Sequence, residues 1–145
     1  MLNYIRFIID CWGDVNMKNN LEATHQKIIF EWAEWQKAKY PELDMLMHTV
    51  NEGKRSPRVG AELKKMGMKK GFPDISLLVP KYYKGLTEHV EYFGLFIELK
   101  ADKTKRLTKE QEKWLDNLNL YGYRAVRCNG SDEAIAVIKE YLGIK

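Results

Sequence analysis

Cysteine is scarce in this 145-residue chain: Cys11 and Cys128 stand far apart, and neither belongs to a C-x-x-C pair. That excludes a structural zinc site built on cysteine pairs and argues against a disulfide-stapled scaffold. A reducing, cytoplasmic setting is the default expectation. Long apolar runs are missing too. None approaches the roughly 18 residues of a membrane span. The short run Phe7-Ile8-Ile9, with Arg6 before it and Asp10 after it, makes no secretory signal. Histidine is limited to His25, His48 and His89, which lack the spacing of a zinc or histidine-based nuclease site. Neither a G-x-x-x-x-G-K-S/T loop nor a G-x-G-x-x-G turn occurs, so no nucleotide-driven motor is expected. No internal repeat, low-complexity tract or interdomain linker is visible.

What is present is enough apolar residue, 45% of the chain, to build the core of one domain. The net charge of +4 is modest but unevenly spread. Lys54, Arg55, Arg58, Lys64, Lys65, Lys69 and Lys70 face one acid, Glu62, in a segment of charge +6. Lys100, Lys103, Lys105, Arg106 and Lys109 face only Asp102 in another of charge +4, which leaves −6 for the rest. Two basic segments on an acidic body fit a polyanion on one face; they also fit plain solvated loops. Trp32, Trp35, Trp114 and the eight tyrosines are able to stack on bases, although Trp32 and Trp35 lie at helical spacing and read as core or interface.

Residues 1–20 look like an N-terminal extension, and the regular pattern starts after them. Apolar residues recur at three and four from Leu21 to about Tyr40, a helix with Asn20 as cap and Pro41 as stop. Met45 to Val50 reads as a short strand. Ser56-Pro57 opens a helix that ends at Gly67. Asp74 to Val79 and Glu91 to Lys100 read as strands joined by a polar connection, hence an antiparallel pair. A helix follows from Thr108 to Gly122, then a strand from Tyr123 to Cys128. A last helix capped by Ser131 runs from Asp132 to Leu142. The sum is α/β or α+β, with a small mixed sheet of about four strands flanked by helices.

The chemistry concentrates in Pro73-Asp74 and Glu98-Leu99-Lys100. Alternation puts Glu98 and Lys100 on one face of their strand. Antiparallel pairing brings Asp74, at the start of its strand, close to Glu98. Two carboxylates at that distance resist ionisation unless a cation shares the site. Mg²⁺ or Mn²⁺ meets that need, with the Leu99 carbonyl as a further oxygen ligand. Such a site suits phosphodiester hydrolysis, with Lys100 orienting water or balancing charge on the phosphorane. The plainer reading is an ordinary half-exposed strand with Glu98 and Lys100 on its wet side.

The run Asn51-Glu52-Gly53-Lys54-Arg55-Ser56, then Lys64-Lys65-Met66-Gly67, Gly71-Phe72-Pro73-Asp74-Ile75, Ile97-Glu98-Leu99-Lys100, and Leu107-Thr108-x-x-Gln111 with Trp114 resembles the virus-type replication-repair nuclease (VRR-NUC) domain. That family is a branch of the PD-(D/E)xK superfamily of restriction enzymes and junction resolvases. The resemblance covers about Leu21 to Leu142 and implies an α/β, restriction-endonuclease-like fold, with residues 21–145 as the nuclease domain. It also implies a metal-dependent, structure-selective DNA endonuclease acting on four-way (Holliday) junctions as a homodimer, in the cytoplasm of a bacterium or phage-infected cell. By the same resemblance Glu22 completes a metal site with Asp74, Glu98 and Leu99, and Gln111 joins Lys100 in catalysis. Glu22 is equally a first-turn acid favoured by the helix dipole, and Gln111 equally half of a capping box with Thr108. Lys54, Arg55, Arg58, Lys64, Lys69, Lys70, Lys103, Lys105 and Arg106 are the expected DNA contacts. The rival readings are a non-catalytic nucleic-acid-binding subunit that keeps the fold, and the same site acting on flaps or nicked duplex.

Overall fold

The structure, a computed structural model, describes residues 21–49, 57–83 and 89–145. The expected caps Asn20 and Ser56, the basic pair Lys54 and Arg55, and residues 1–20 lie outside the described residues. In chain order the elements are α1 (Leu21–Gln36), a 3₁₀ turn (Pro41–Met45), β1 (Leu46–His48), α2 (Pro57–Lys65), β2 (Ile75–Leu77), β3 (Lys81–Tyr83), β4 (His89–Tyr92), β5 (Leu95–Lys100), α3 (Lys109–Leu120), β6 (Arg124–Asn129) and α4 (Gly130–Leu142).

A four-stranded sheet runs in the order β1-β2-β5-β6. β1 with β2 and β2 with β5 are antiparallel, while β5 with β6 is parallel, so the sheet is mixed. The apolar alternation of β5 explains its central place. Ile97 and Leu99 join Ile75, Leu77, Ile29, Ala33, Ala134 and Ile138 in one core beneath α1 and α4. Phe96 points the other way, into a smaller core with Leu115, Leu118 and Ala125 under α3. Each such side chain contributes about 1.5–3 kcal/mol when fully buried. Because both faces are covered, all of β5 is buried, Glu98 and Lys100 included. That removes the half-exposed strand with a wet side from consideration.

Several element boundaries differ from the sequence expectation, each for a local reason. α1 stops at Gln36 rather than Tyr40, because Tyr40 precedes a proline and takes the extended side of backbone space (φ −128, ψ 81). The segment from Glu91 to Lys100 is two strands. β4 pairs with β3 in a separate hairpin, and the chain then switches at Phe93-Gly94 to join β2 and β6. The polar connection is therefore itself partly a hairpin. α4 starts at Gly130, with Asn129 in the cap position, because Ser131 is engaged by His25 of α1 instead. Trp32 packs against the core as expected, but Trp35 is 72% exposed. No helix of the described residues is long and apolar enough to cross a membrane.

Candidate active site

The β2–β5 ladder ends at the pair Ile75 and Ile97. One step further along this register, Asp74 lies across from Glu98 on the same side of the sheet. Asp74 Oδ2 accepts the amide of Leu99 at 2.8 Å, so its carboxylate is tied to β5 itself. Its carbonyl is held on the other side by the Thr49 amide at 2.8 Å and by His48 Nδ1 at 3.0 Å. His48 thus fixes the backbone that aims Asp74. No pattern in the sequence marked it for this role.

Glu98 is only 1% exposed. Its Oε1 accepts from Lys100 Nζ at 2.7 Å and also from Gln111 Nε2. Among the described residues its buried Oε2 has no hydrogen-bond partner. Buried polar atoms are nearly always satisfied, and an orphaned carboxylate oxygen calls for a positive group. Burial first, then the charge of Asp74, push the Glu98 carboxyl up to about 7; Lys100 pulls it down and Glu22 adds a smaller upward push. Desolvation and the neighbouring acid outweigh the ion pair.

Gln111 serves both of the roles read from the sequence. Its Oε1 accepts the Thr108 amide at 2.9 Å while Thr108 Oγ1 accepts the Gln111 amide at 3.3 Å, a complete capping box at the start of α3. The other end of the same carboxamide donates to Glu98. The helix cap therefore orients a ligand of the carboxylate. Glu22 comes from α1, on the far layer of the sheet, and its Oε1 accepts the Ala101 amide at 3.4 Å just past the end of β5. It borders the carboxylate pair without joining it, and among the described residues no three His, Cys, Asp or Glu side chains gather in one cluster fit to hold an ion. The donors at hand are two carboxylates and backbone oxygens. Hard oxygen sets of that kind fit Mg²⁺ or Mn²⁺, which take one or two carboxylates and complete their shell with water and phosphate.

Arg58, Lys64, Lys69, Lys70, Lys103, Lys105 and Arg106 are all exposed. The segment bearing the last three is organised by Arg127, which stands beside Glu98 in the parallel register of β6. Arg127 Nη2 donates to the carbonyls of Asp102 (3.3 Å), Lys103 (3.4 Å) and Lys105 (2.6 Å) and to Asn129 Oδ1 (2.7 Å). The sequence shows Arg124 and Arg127 alternating on a strand, but only the non-local pairing with β5 brings Arg127 to the site. The histidines all find structural partners. His25 Nδ1 accepts the Ser131 amide at 3.1 Å, His48 holds Asp74, and His89 stacks on Tyr83.

The VRR-NUC domain model matches residues 20–132. A solved structure described as a "VRR_NUC domain protein" superposes with a TM-score of 0.69 at 30% identity, covering 86% of this chain and 89% of that one. No curated protein matches the chain. The match spans the elements that carry Glu22, Asp74, Glu98, Lys100 and Gln111, and at this extent it settles the family: the chain belongs to the VRR-NUC domain family of nucleases.

Proposed function

We propose that this protein is a divalent-cation-dependent, structure-selective DNA endonuclease that cuts four-way junctions as a homodimer. The observation that carries the reading is the buried Oε2 of Glu98, which has no partner among the described residues and feels the charge of the Asp74 carboxylate. Two acids so placed are costly unless a cation sits between them. Asp74, Glu98 and the Leu99 carbonyl would hold Mg²⁺ or Mn²⁺, with Glu22 of α1 at the margin of the set, its Oε1 on the Ala101 amide. A cation held there would polarise the phosphate and supply a water of lowered pKa. Lys100 and Gln111 both donate to Oε1 of Glu98, so Oε2 is the oxygen that would be open to a cation. The Lys100 ammonium orients the attacking water or balances charge on the phosphorane. The exposed basic residues contact phosphates, which set affinity and register but read no sequence. One such site cuts one strand, so paired incision of a junction calls for two sites about a two-fold axis. A purely DNA-binding subunit has no use for a buried glutamate set beside a second, half-buried carboxylate.

The test is incubation with labelled four-way junction, flap, nicked duplex and plain duplex in Mg²⁺, Mn²⁺ or EDTA, with cuts mapped on each strand. Paired cuts on opposing junction strands are expected, and none in EDTA. Asp74→Ala and Glu98→Ala should each lower the rate by at least about 10²-fold while junction binding persists. Wild-type cutting by either variant, or cutting in EDTA, overturns the cation-dependent reading. Cuts confined to flaps or nicks keep the enzyme and remove the junction.

A further inference from the structure

The outer side of α3 carries two adjoining grooves that the carboxylates themselves do not line. One is apolar and lined by Phe93, Trp114, Asn117, Leu118, Tyr121 and Tyr123. The other is basic and lined by Lys69, Lys70, Glu110, Lys113, Trp114 and Asn117. Trp114 and Asn117 line both, so the two form one stripe. At about 100° per residue, positions 110, 113, 114, 117, 118 and 121 share one side of the helix, while Glu112 and Asp116 fall on the opposite side. The basic end thus sets three lysines against one carboxylate, Glu110. The other end offers rings to solvent, with Tyr121 71% and Phe93 56% exposed.

The stripe is anchored and begins at the site. Trp114 Nε1 donates to the Lys70 carbonyl at 3.0 Å, and Phe72 meets the indole edge-on at a centroid distance of 4.9 Å. The indole is therefore held with its polar atom turned inward. Gly71 abuts the backbone of Glu110 and Gln111, and Gln111 in turn binds Glu98. Along α3 from Gln111, the partner of Glu98, come Lys113, then Trp114, then Tyr121.

We propose that this stripe is a subsite for an unpaired DNA strand leaving the cleavage site, its phosphates over Lys69, Lys70 and Lys113 and its bases stacked on Trp114, Tyr121 and Phe93. The proposal rests on the nuclease reading of the carboxylate site. Charge complementarity selects a polyanion, and the rings select its form. A duplex hides its base faces inside the stack, whereas a single strand offers each of them to an aromatic platform. The assignment gives the enzyme a means of preferring branched or frayed DNA over plain duplex.

The test is anisotropy titration of the full chain with labelled oligo-thymidylate and with a hairpin-closed duplex, both in EDTA so that nothing is cut. Tyr121→Ser and Lys113→Glu should each weaken oligo-thymidylate binding about ten-fold. The loss on duplex should be at least about five-fold smaller, which also shows that the variants are folded. Tyr121→Phe, which keeps the ring, should restore tight binding. Equal losses on both ligands, or no loss on either, overturn the subsite. So does a dimer that dissociates in Tyr121→Ser while oligo-thymidylate binding survives, since the groove then belongs to a second copy. Because no cleavage enters the measurement, a wild-type chain that binds as expected yet cuts neither junction, flap, nicked duplex nor plain duplex sinks the nuclease reading and leaves the subsite standing.

Discussion

Glu98 carries the largest electrostatic tension among the described carboxylates, and its protonation is coupled to folding. Its carboxyl is pushed from an ordinary 4.5 up to about 7 by burial and by Asp74. The folded chain therefore holds this proton more tightly than the unfolded chain does. Between those two values stability falls as pH rises, and above about 7 the loss levels off. Thermal melts of chelated protein across this window should show a declining Tm in wild type, and a shallower decline in Glu98→Gln, whose amide does not titrate. Added Mg²⁺ should reverse the wild-type loss at the alkaline end, because a cation that binds only the ionised, folded site stabilises it by mass action. Parallel pH profiles for wild type and Glu98→Gln would mean that Glu98 bears no such tension. Cys128 shows burial acting without function: its thiol is pushed up to about 12 and stays protonated, hence unreactive, at neutral pH.

α3 connects the site to its surroundings through its first turn, and that turn depends on Gly71. Gly71 has φ +76, and a Cβ there would lie 2.8 Å from the Glu110 carbonyl carbon and 2.9 Å from the Gln111 amide. Gly67 has a similarly positive φ of +93 but open space around it. Alanine at either position strains the backbone by about 1–3 kcal/mol. Only at position 71 does it also force the loop off α3 and displace Gln111 from Glu98. Urea unfolding should show Gly71→Ala as the more destabilised of the two. Junction cleavage should fall in Gly71→Ala and persist in Gly67→Ala; equal activities would mean the close approach is not needed. The two glycines also mark how far the sequence could be read. Gly67 ends α2 by a local rule, and Thr108 with Gln111 announces the capping box, so the helices were legible. The approach of Asp74 to Glu98 was legible as well, because strand alternation and an antiparallel connection are local facts. Burial of β5 on both faces, the parallel seat of Arg127 next to Glu98, and the grip of His48 on Asp74 were not. Each depends on which distant element lies alongside, and neither spacing nor charge pattern records that.

At the scale of the whole molecule, the described basic residues fall in two groups, one on α2 and the loop after it, the other on the segment from Asp102 to Arg106. The second carries Lys103, Lys105 and Arg106 on a loop whose three carbonyls converge on Arg127. If these charges meet phosphates, DNA affinity must fall steeply with salt, with a slope of about −0.9 in log K against log salt for each phosphate neutralised on duplex arms. Replacing Lys103 and Lys105 together by alanine should make that slope shallower by about two phosphates' worth. Arg127→Ala should flatten it as well, although Arg127 is turned toward the loop's carbonyls, because the loop then no longer presents its charges in one place. The two effects run through the same loop, so they should not add: Arg127→Ala in the double-alanine background should change the slope little further. A full additive change would assign Arg127 its own phosphate. A salt profile that is flat in wild type would detach both basic segments from DNA and leave the charge asymmetry of the chain as a feature of its solubility alone.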